Sequence, residues 1–239
     1  MARITKIFIS GKIENLISYE RDGKPYLRAI PDEVRQTKAT KRSAKNFGKA
    51  ARIAKFLRWN MKAVIPPKQG RYAEYRLNHA VAKWLLTIAP RAKNTDAQSS
   101  DLFSLGLSKK TVFGYRITIP LETDWTKKSM VGLSIPDITP SRAIVAPAHT
   151  RRLHWTITVT GSSIKEPGST DVYTAAFEMD YNDVPLPARQ IELPFRLKPG
   201  SINIIAVSVQ YLVMKKGRLT QVTKEGWTPA AIVDGFYQP

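Results

Sequence analysis

Between Thr37 and Met61, lysine and arginine recur at intervals of three and four: Lys38, Lys41, Arg42, Lys45, Lys49 and Arg52, with Lys55 following. Side chains of this kind neutralise phosphates and release the counterions held there, so binding through them is salt-sensitive and largely indifferent to sequence. At about 100° per residue the first six share one helical face. Ala44, Phe47, Ala50, Ala51, Ala54, Leu57 and Met61 share the other. No acidic residue interrupts the segment. Each like-charged i,i+4 pair costs about 0.2–0.5 kcal/mol, a cost that an anionic partner removes. The candidate nucleic-acid contacts are therefore Arg28, Lys38, Lys41, Arg42, Lys45, Lys49, Arg52 and Lys55. Asn46 is the side chain near this stripe that suits a base edge. It points about 100° from the stripe's centre, so base-specific reading is not expected. Tyr19, Tyr26, Phe56 and Trp59 offer rings for stacking on single strands; core packing or a hairpin face is the competing use of each.

Other chemistry finds little support. The histidines are His79, His149 and His154. None stands with a second ligand at a zinc or iron spacing, and polar surface positions are the simpler account. Glu178, Asp180 and Asp183 lie close in sequence, where a polar turn competes with an acid/base pair. The chain has no G-x-S-x-G elbow, no phosphate-binding glycine loop and no G-x-G-x-x-G. No enzyme, cofactor, metal or small-molecule substrate is expected.

The totals agree with a polyanion partner. The 239 residues carry a net charge of +19, and 43% are apolar, an ordinary content for a globular chain. Residues 1–95 hold 22 Lys and Arg against 6 Asp and Glu, and residues 96–239 hold 16 against 13. Such asymmetry suggests contact with nucleic acid or an anionic surface; a basic, well-solvated surface is the plainer alternative. Cysteine is absent, which excludes disulfides and thiolate chemistry and leans toward a reducing compartment. No segment reaches the roughly 18 apolar residues of a membrane span. The alanine-rich face of the basic helix suits close packing better than lipid insertion, so no membrane partner is expected. The expected location is cytoplasmic, or the inside of a viral or phage-like particle.

The elements that position these residues follow from periodicity. Strands are expected at 3–9, 12–19 and 26–30, with a hairpin turn at Asp22-Gly23. Asp32 and Glu33 precede the basic helix, which Pro66-Pro67 stops. A second helix, 71–88, has Tyr75, Leu77, Val81, Leu85 and Ile88 as its apolar set, and the two helices are placed against the small N-terminal sheet. Residues 89–102 are polar and aperiodic. Beyond them strands are expected at 111–120, 130–135, 143–146, 153–160, 172–180, 189–197, 202–214 and 219–223, with a turn at Lys215-Lys216-Gly217. In 153–160, Leu153, Trp155, Ile157 and Val159 face one way, and His154, Thr156, Thr158 and Thr160 the other. The fold class is α+β: a basic β-plus-helical-hairpin region at 1–92, a linker at 93–110, and an all-β immunoglobulin-like sandwich at 111–239.

Gly11-Lys12, Tyr19, Gly23-Lys24, Tyr26-Leu27-Arg28 and Pro31, followed by Thr37, Arg42, Phe47 and Ala50, fall in an order that resembles the opening of an uncharacterised Bacteroidetes protein family, a domain of unknown function. Its pattern is G-K … G-K-x-Y-x-R-S-x-P, then T-x-x-Q-x-x-x-R-x-x-F. The resemblance covers about residues 10–58; Ala29 stands where serine is common, and Lys41 or its neighbour where glutamine is common. It implies a source and a layout, and no catalytic residues. The expected function is non-catalytic binding of nucleic acid or another polyanion through the basic region, with the sandwich as a module for protein contacts or self-association. The alternative is a structural subunit of a larger assembly, such as a phage-like particle, tail or filament.

Overall fold

The computed structural model describes residues 11–21, 24–30, 36–67, 69–88, 101–168 and 171–238. Among them are four helices and eleven strands in three sheets, a mixed α+β architecture rich in sheet. Two compact units divide between Ala44 and Lys45. The expected strand at 3–9, the Asp22-Gly23 turn and the Asp32-Glu33 helix start lie outside the described residues.

In the first unit, strands β1 (Gly11–Ile13), β2 (Leu16–Arg21) and β3 (Lys24–Ala29) form an antiparallel sheet. The expected single strand at 12–19 is two strands, because the chain turns at Glu14-Asn15 with Glu14 at φ 49°. Helix α1 (Lys38–Asn60) starts in this unit and continues into the second. Thr37 caps it: the Thr40 N–H donates to Thr37 Oγ1 at 3.1 Å.

The second unit is built on one long antiparallel sheet. Its strands are β6 (Thr150–Ser163), β7 (Val172–Asp180), β9 (Ser201–Lys215), β10 (Arg218–Gln221) and β11 (Ala230–Gln238). β9 pairs with β6 along one edge and with β11 and then β10 along the other; β7 closes the far side of β6. The turn between β9 and β10 is the expected one, with Lys216 at φ 47° and Gly217 at φ 76°, the pair of positive values that a two-residue hairpin loop requires. A smaller sheet has the order β4 (Glu122–Asp124), β5 (Met130–Ile135), β8 (Arg189–Pro194).

Alternation along β6 and β9 creates two cores. Leu153, Trp155, Ile157 and Val159 of β6 and Ile205, Val207, Val209 and Tyr211 of β9 are buried with Val131, Leu133 and Ile135 of β5. Trp155 stacks on Phe177 with ring centroids 5.8 Å apart. Burial pushes the Tyr211 phenol above its ordinary value, and its O–H donates to the Val145 carbonyl at 3.1 Å. On the opposite face, Ile202, Ile204 and Ala206 of β9 meet Ala230 and Ile232 of β11 and the two long helices. From α1 come Ala50, Ile53, Ala54 and Leu57. From α2 (Gly70–Thr87) come Ala73, Leu77, Ala80, Val81 and Trp84. Asn60 Nδ2 donates to Thr160 Oγ1 of β6 at 2.8 Å.

The arrangement corrects several expectations. The helices take their core from β9 and β11, where the sequence set them against the small N-terminal sheet. The units part at 44/45, where the sequence put the division at 93–110. Residues 101–110 are no linker, because Leu102, Phe103, Leu105 and Leu107 are buried in the helix-side core. The N–H of Leu107 donates to the Ala230 carbonyl, and that of Ile232 to Leu105, each at 2.8 Å. Tyr75 belongs to no apolar stripe and is 80% exposed. The segment expected as a strand at 111–120 turns helically at Phe113–Arg116, and the one at 143–146 follows a helical turn at Pro140–Ala143. Each then contributes one residue to an isolated bridge, Ile117 to Ile144.

No strand was expected over β11, which carries the turn-favouring pair Asp234-Gly235. The register against β9 shifts between Ile232 and Asp234, with Val233 as the extra residue of a bulge, and Asp234 and Gly235 pair with Ile205 and Ile204. Asp234 accepts hydrogen bonds from Thr123 Oγ1 and, at 2.9 Å, from Trp125 Nε1. A Cβ on Gly235 would collide with the Phe103 ring, so the glycine serves close packing.

Candidate nucleic-acid interface

Helix α1 separates its residues as the spacing predicts. Ala50, Ile53, Ala54 and Leu57 are buried. Lys38, Lys41, Arg42, Lys45, Arg52 and Lys55 are exposed, and Lys49 is half-buried. Helical geometry places Lys38, Arg42, Lys45, Lys49 and Arg52 within about 40° of the stripe's centre, with Lys41 and Lys55 flanking them. Lys38, Lys41 and Arg42 lie on the part of α1 in the first unit, and Lys45 to Lys55 on the part in the second. The apolar face is narrower than expected, since Ala44 and Phe47 are exposed and Phe47 is 60% so.

The electrostatics of α1 divide along its length. Arg58, near the C-terminus, pairs with Glu74 of α2. Among the described residues, none of the seven stripe cations forms an ion pair. Elsewhere several acidic groups are taken up. Arg152 contacts Asp180 and Glu178, each at 3.1 Å. Asp183 accepts from Ser141, and Asp101 from Lys83, which holds the Asp101 carboxyl below its ordinary range. The first turn of α1 has no acidic residue. Lys38 and Lys41 therefore stand against the positive end of the helix dipole, an arrangement that costs stability.

Arg28 occupies a different element, the exposed strand β3. The register pairs Lys12 with Ile17, Ile17 with Arg28, and Tyr19 with Tyr26. Directly opposed and alternate residues share a face, so Arg28 lies on one face with Lys12, Lys24, Tyr19 and Tyr26. The tyrosine rings stack on each other at 5.6 Å. The sequence reading did not weigh Lys12 and Lys24; strand pairing puts Lys12 on the face of Arg28, and alternation within β3 puts Lys24 there. Of the two candidate stacking rings on α1, Phe56 is half-buried and lies where a Cβ on Gly168 would meet it, while Trp59 is 73% exposed.

The three carboxylates of the acid/base alternative each have a partner. Asp183 is engaged by Ser141, apart from the Arg152 cluster that holds Glu178 and Asp180. His154 Nδ1 lies 3.9 Å from Glu178 in that same cluster. Among the described residues no group of three His, Asp or Glu is arranged to hold a metal ion, and no helix is long and apolar enough to cross a membrane. These features define an α+β chain with an unpaired cationic helix face. No protein-family model matches it, and no curated protein is significantly similar to it.

Proposed function

We propose that this chain is a non-catalytic binding protein whose basic N-terminal region holds a polyanion, nucleic acid above all, through phosphates and without sequence specificity. The observation that carries this reading is the α1 stripe: seven lysines and arginines with no acidic partner among the described residues, on a helix whose other cation, Arg58, has one. Unpaired cations at a helix start cost stability, and bound phosphates reverse that cost. Asn46 is the lone amide among the seven cations between Lys38 and Lys55, so phosphate contact is favoured over base reading. The β-rich part serves protein contacts or self-association, with β7, an edge strand of nine residues, as its open side. Its two face-to-face sheets, with Trp155 buried between them, support an immunoglobulin-like reading; a helical layer then covers the face that a free sandwich exposes. The resemblance to the Bacteroidetes family and a cytoplasmic or particle-enclosed location belong to the same reading.

The test is the salt dependence of affinity for labelled DNA and RNA oligomers. With five to seven phosphates neutralised on duplex DNA, log K falls against log salt with a slope of roughly −4 to −6. No binding at low salt overturns the reading, and turns the stripe into a docking face for an acidic protein.

A second reading, a structural subunit of a larger assembly, is favoured by one feature of the first unit. Its sheet exposes Leu16, Tyr19, Tyr26 and Leu27, and no described residue of that unit joins either buried cluster. Small sheets need a covered apolar face to be stable, and a neighbouring subunit supplies one. Light scattering at micromolar concentration then gives a species well above the 26.9 kDa monomer. A discrete monomer or dimer counts against assembly.

A further inference from the structure

We propose that the groove beside Trp59 is a stacking site for an unpaired base, so that the nucleic acid held by this chain is single-stranded; this rests on the phosphate-binding reading and narrows it. Tryptophan is usually well buried. Trp84 and Trp155 are fully buried here, and Trp125 and Trp227 half-buried, whereas Trp59 is 73% exposed in the last turn of α1. It lines an open groove of about 490 Å³ with Arg58, Lys62 and the Ile65-Pro66-Pro67 wall, a volume within the range of small-molecule sites.

The charge around the ring selects the occupant. Lys55 precedes Trp59 by four residues, Lys62 follows it by three, and Arg52 lies one further turn back. Side chains at such spacings are neighbours on a helical surface. Lys55, Lys62 and Arg52 form no ion pair among the described residues, and the acidic Glu74 is engaged by Arg58. An aromatic face between unpaired cations fits a base between its flanking phosphates. In a duplex both faces of each base are already stacked, so Trp59 adds nothing there. A lipid surface needs a bulky apolar helix face, and the neighbours of Trp59 one turn away are Lys55, Lys62, Ala63 and the half-buried Phe56.

The test compares the full chain with Trp59→Ala and Trp59→Phe. Probes are a labelled oligothymidine, a DNA duplex of equal length, and vesicles of phosphatidylserine with phosphatidylcholine. Removing one stacked ring weakens single-strand affinity by about tenfold or more. Expected are tighter binding of the single strand by the native chain, that loss in Trp59→Ala with duplex affinity unchanged, and near-native behaviour in Trp59→Phe. Should Trp59→Ala lose its circular dichroism, Trp59→Gln takes its place. Single-strand affinity unchanged in the alanine variant overturns the stacking site and leaves the phosphate reading standing. Absence of all oligonucleotide binding overturns both, and vesicle binding in that case identifies a membrane partner.

Discussion

Changing Lys38, Arg42, Lys45 and Lys49 to glutamate is expected to abolish nucleic-acid binding while the fold persists. The four substitutions lower the net charge by eight, from +19 to +11. They place the reversal along the centre of the α1 stripe. Each lost phosphate contact removes about 0.9 from the salt slope on duplex DNA, and the reversed charges repel the remaining phosphates, so affinity at low salt falls roughly a hundredfold or more. The helix itself should tolerate the change. Lys38, Arg42 and Lys45 are exposed, and carboxylates near a helix N-terminus are favourable. Lys49 is half-buried, and a glutamate stem covers part of the surface its longer chain covers. Salt titration and circular dichroism read the two effects separately. Unchanged affinity and slope with an intact fold would falsify the role given to the stripe.

Trp84→Ala is expected to destabilise the second unit by about 3–5 kcal/mol, the usual cost of truncating a buried tryptophan. Trp84 is fully buried on the inner face of α2 and meets the Tyr237 ring of β11 edge-on, with centroids 5.5 Å apart. Its removal opens a cavity between the helical layer and the sheet, where Val81 and Ile204 also pack. Trp84→Phe keeps part of that volume and should cost less. Denaturant unfolding followed by far-ultraviolet circular dichroism gives both values. A loss below about 1 kcal/mol, the range of surface substitutions, would mean that α2 contributes little to this core. The two experiments probe different parts: the charge reversal removes binding and spares stability, and Trp84→Ala does the opposite.

Much of the secondary structure was legible because local pattern and local outcome coincide. β5 and β7 have the bounds that alternation predicts, and α1 ends at Asn60, with one tighter helical turn at Met61–Ala63 before the expected stop at Pro66-Pro67. The pattern misled where a residue type has two uses. Asp-Gly marks hairpin turns, yet Asp234-Gly235 lies inside a paired strand, just after a bulge at Val233. Tyr75 fits an apolar spacing and faces outward. Lys12 and Arg28 stand apart in sequence and share a face through register alone.

The chain's local order alone determined the cationic face of α1, the opposite apolar face, and the alternation of β6, since each depends only on side-chain direction along one element. Tertiary structure decided what covers each face. Thr156, Thr158 and Thr160 form the polar face of β6, and all three are buried; Thr160 is tied to Asn60 at the end of α1. It likewise decided that Leu102 and Phe103 belong to a core and that Trp59 stays in the open. Periodicity reports the direction a side chain takes; only the packing of distant elements settles whether that direction ends in protein or in water.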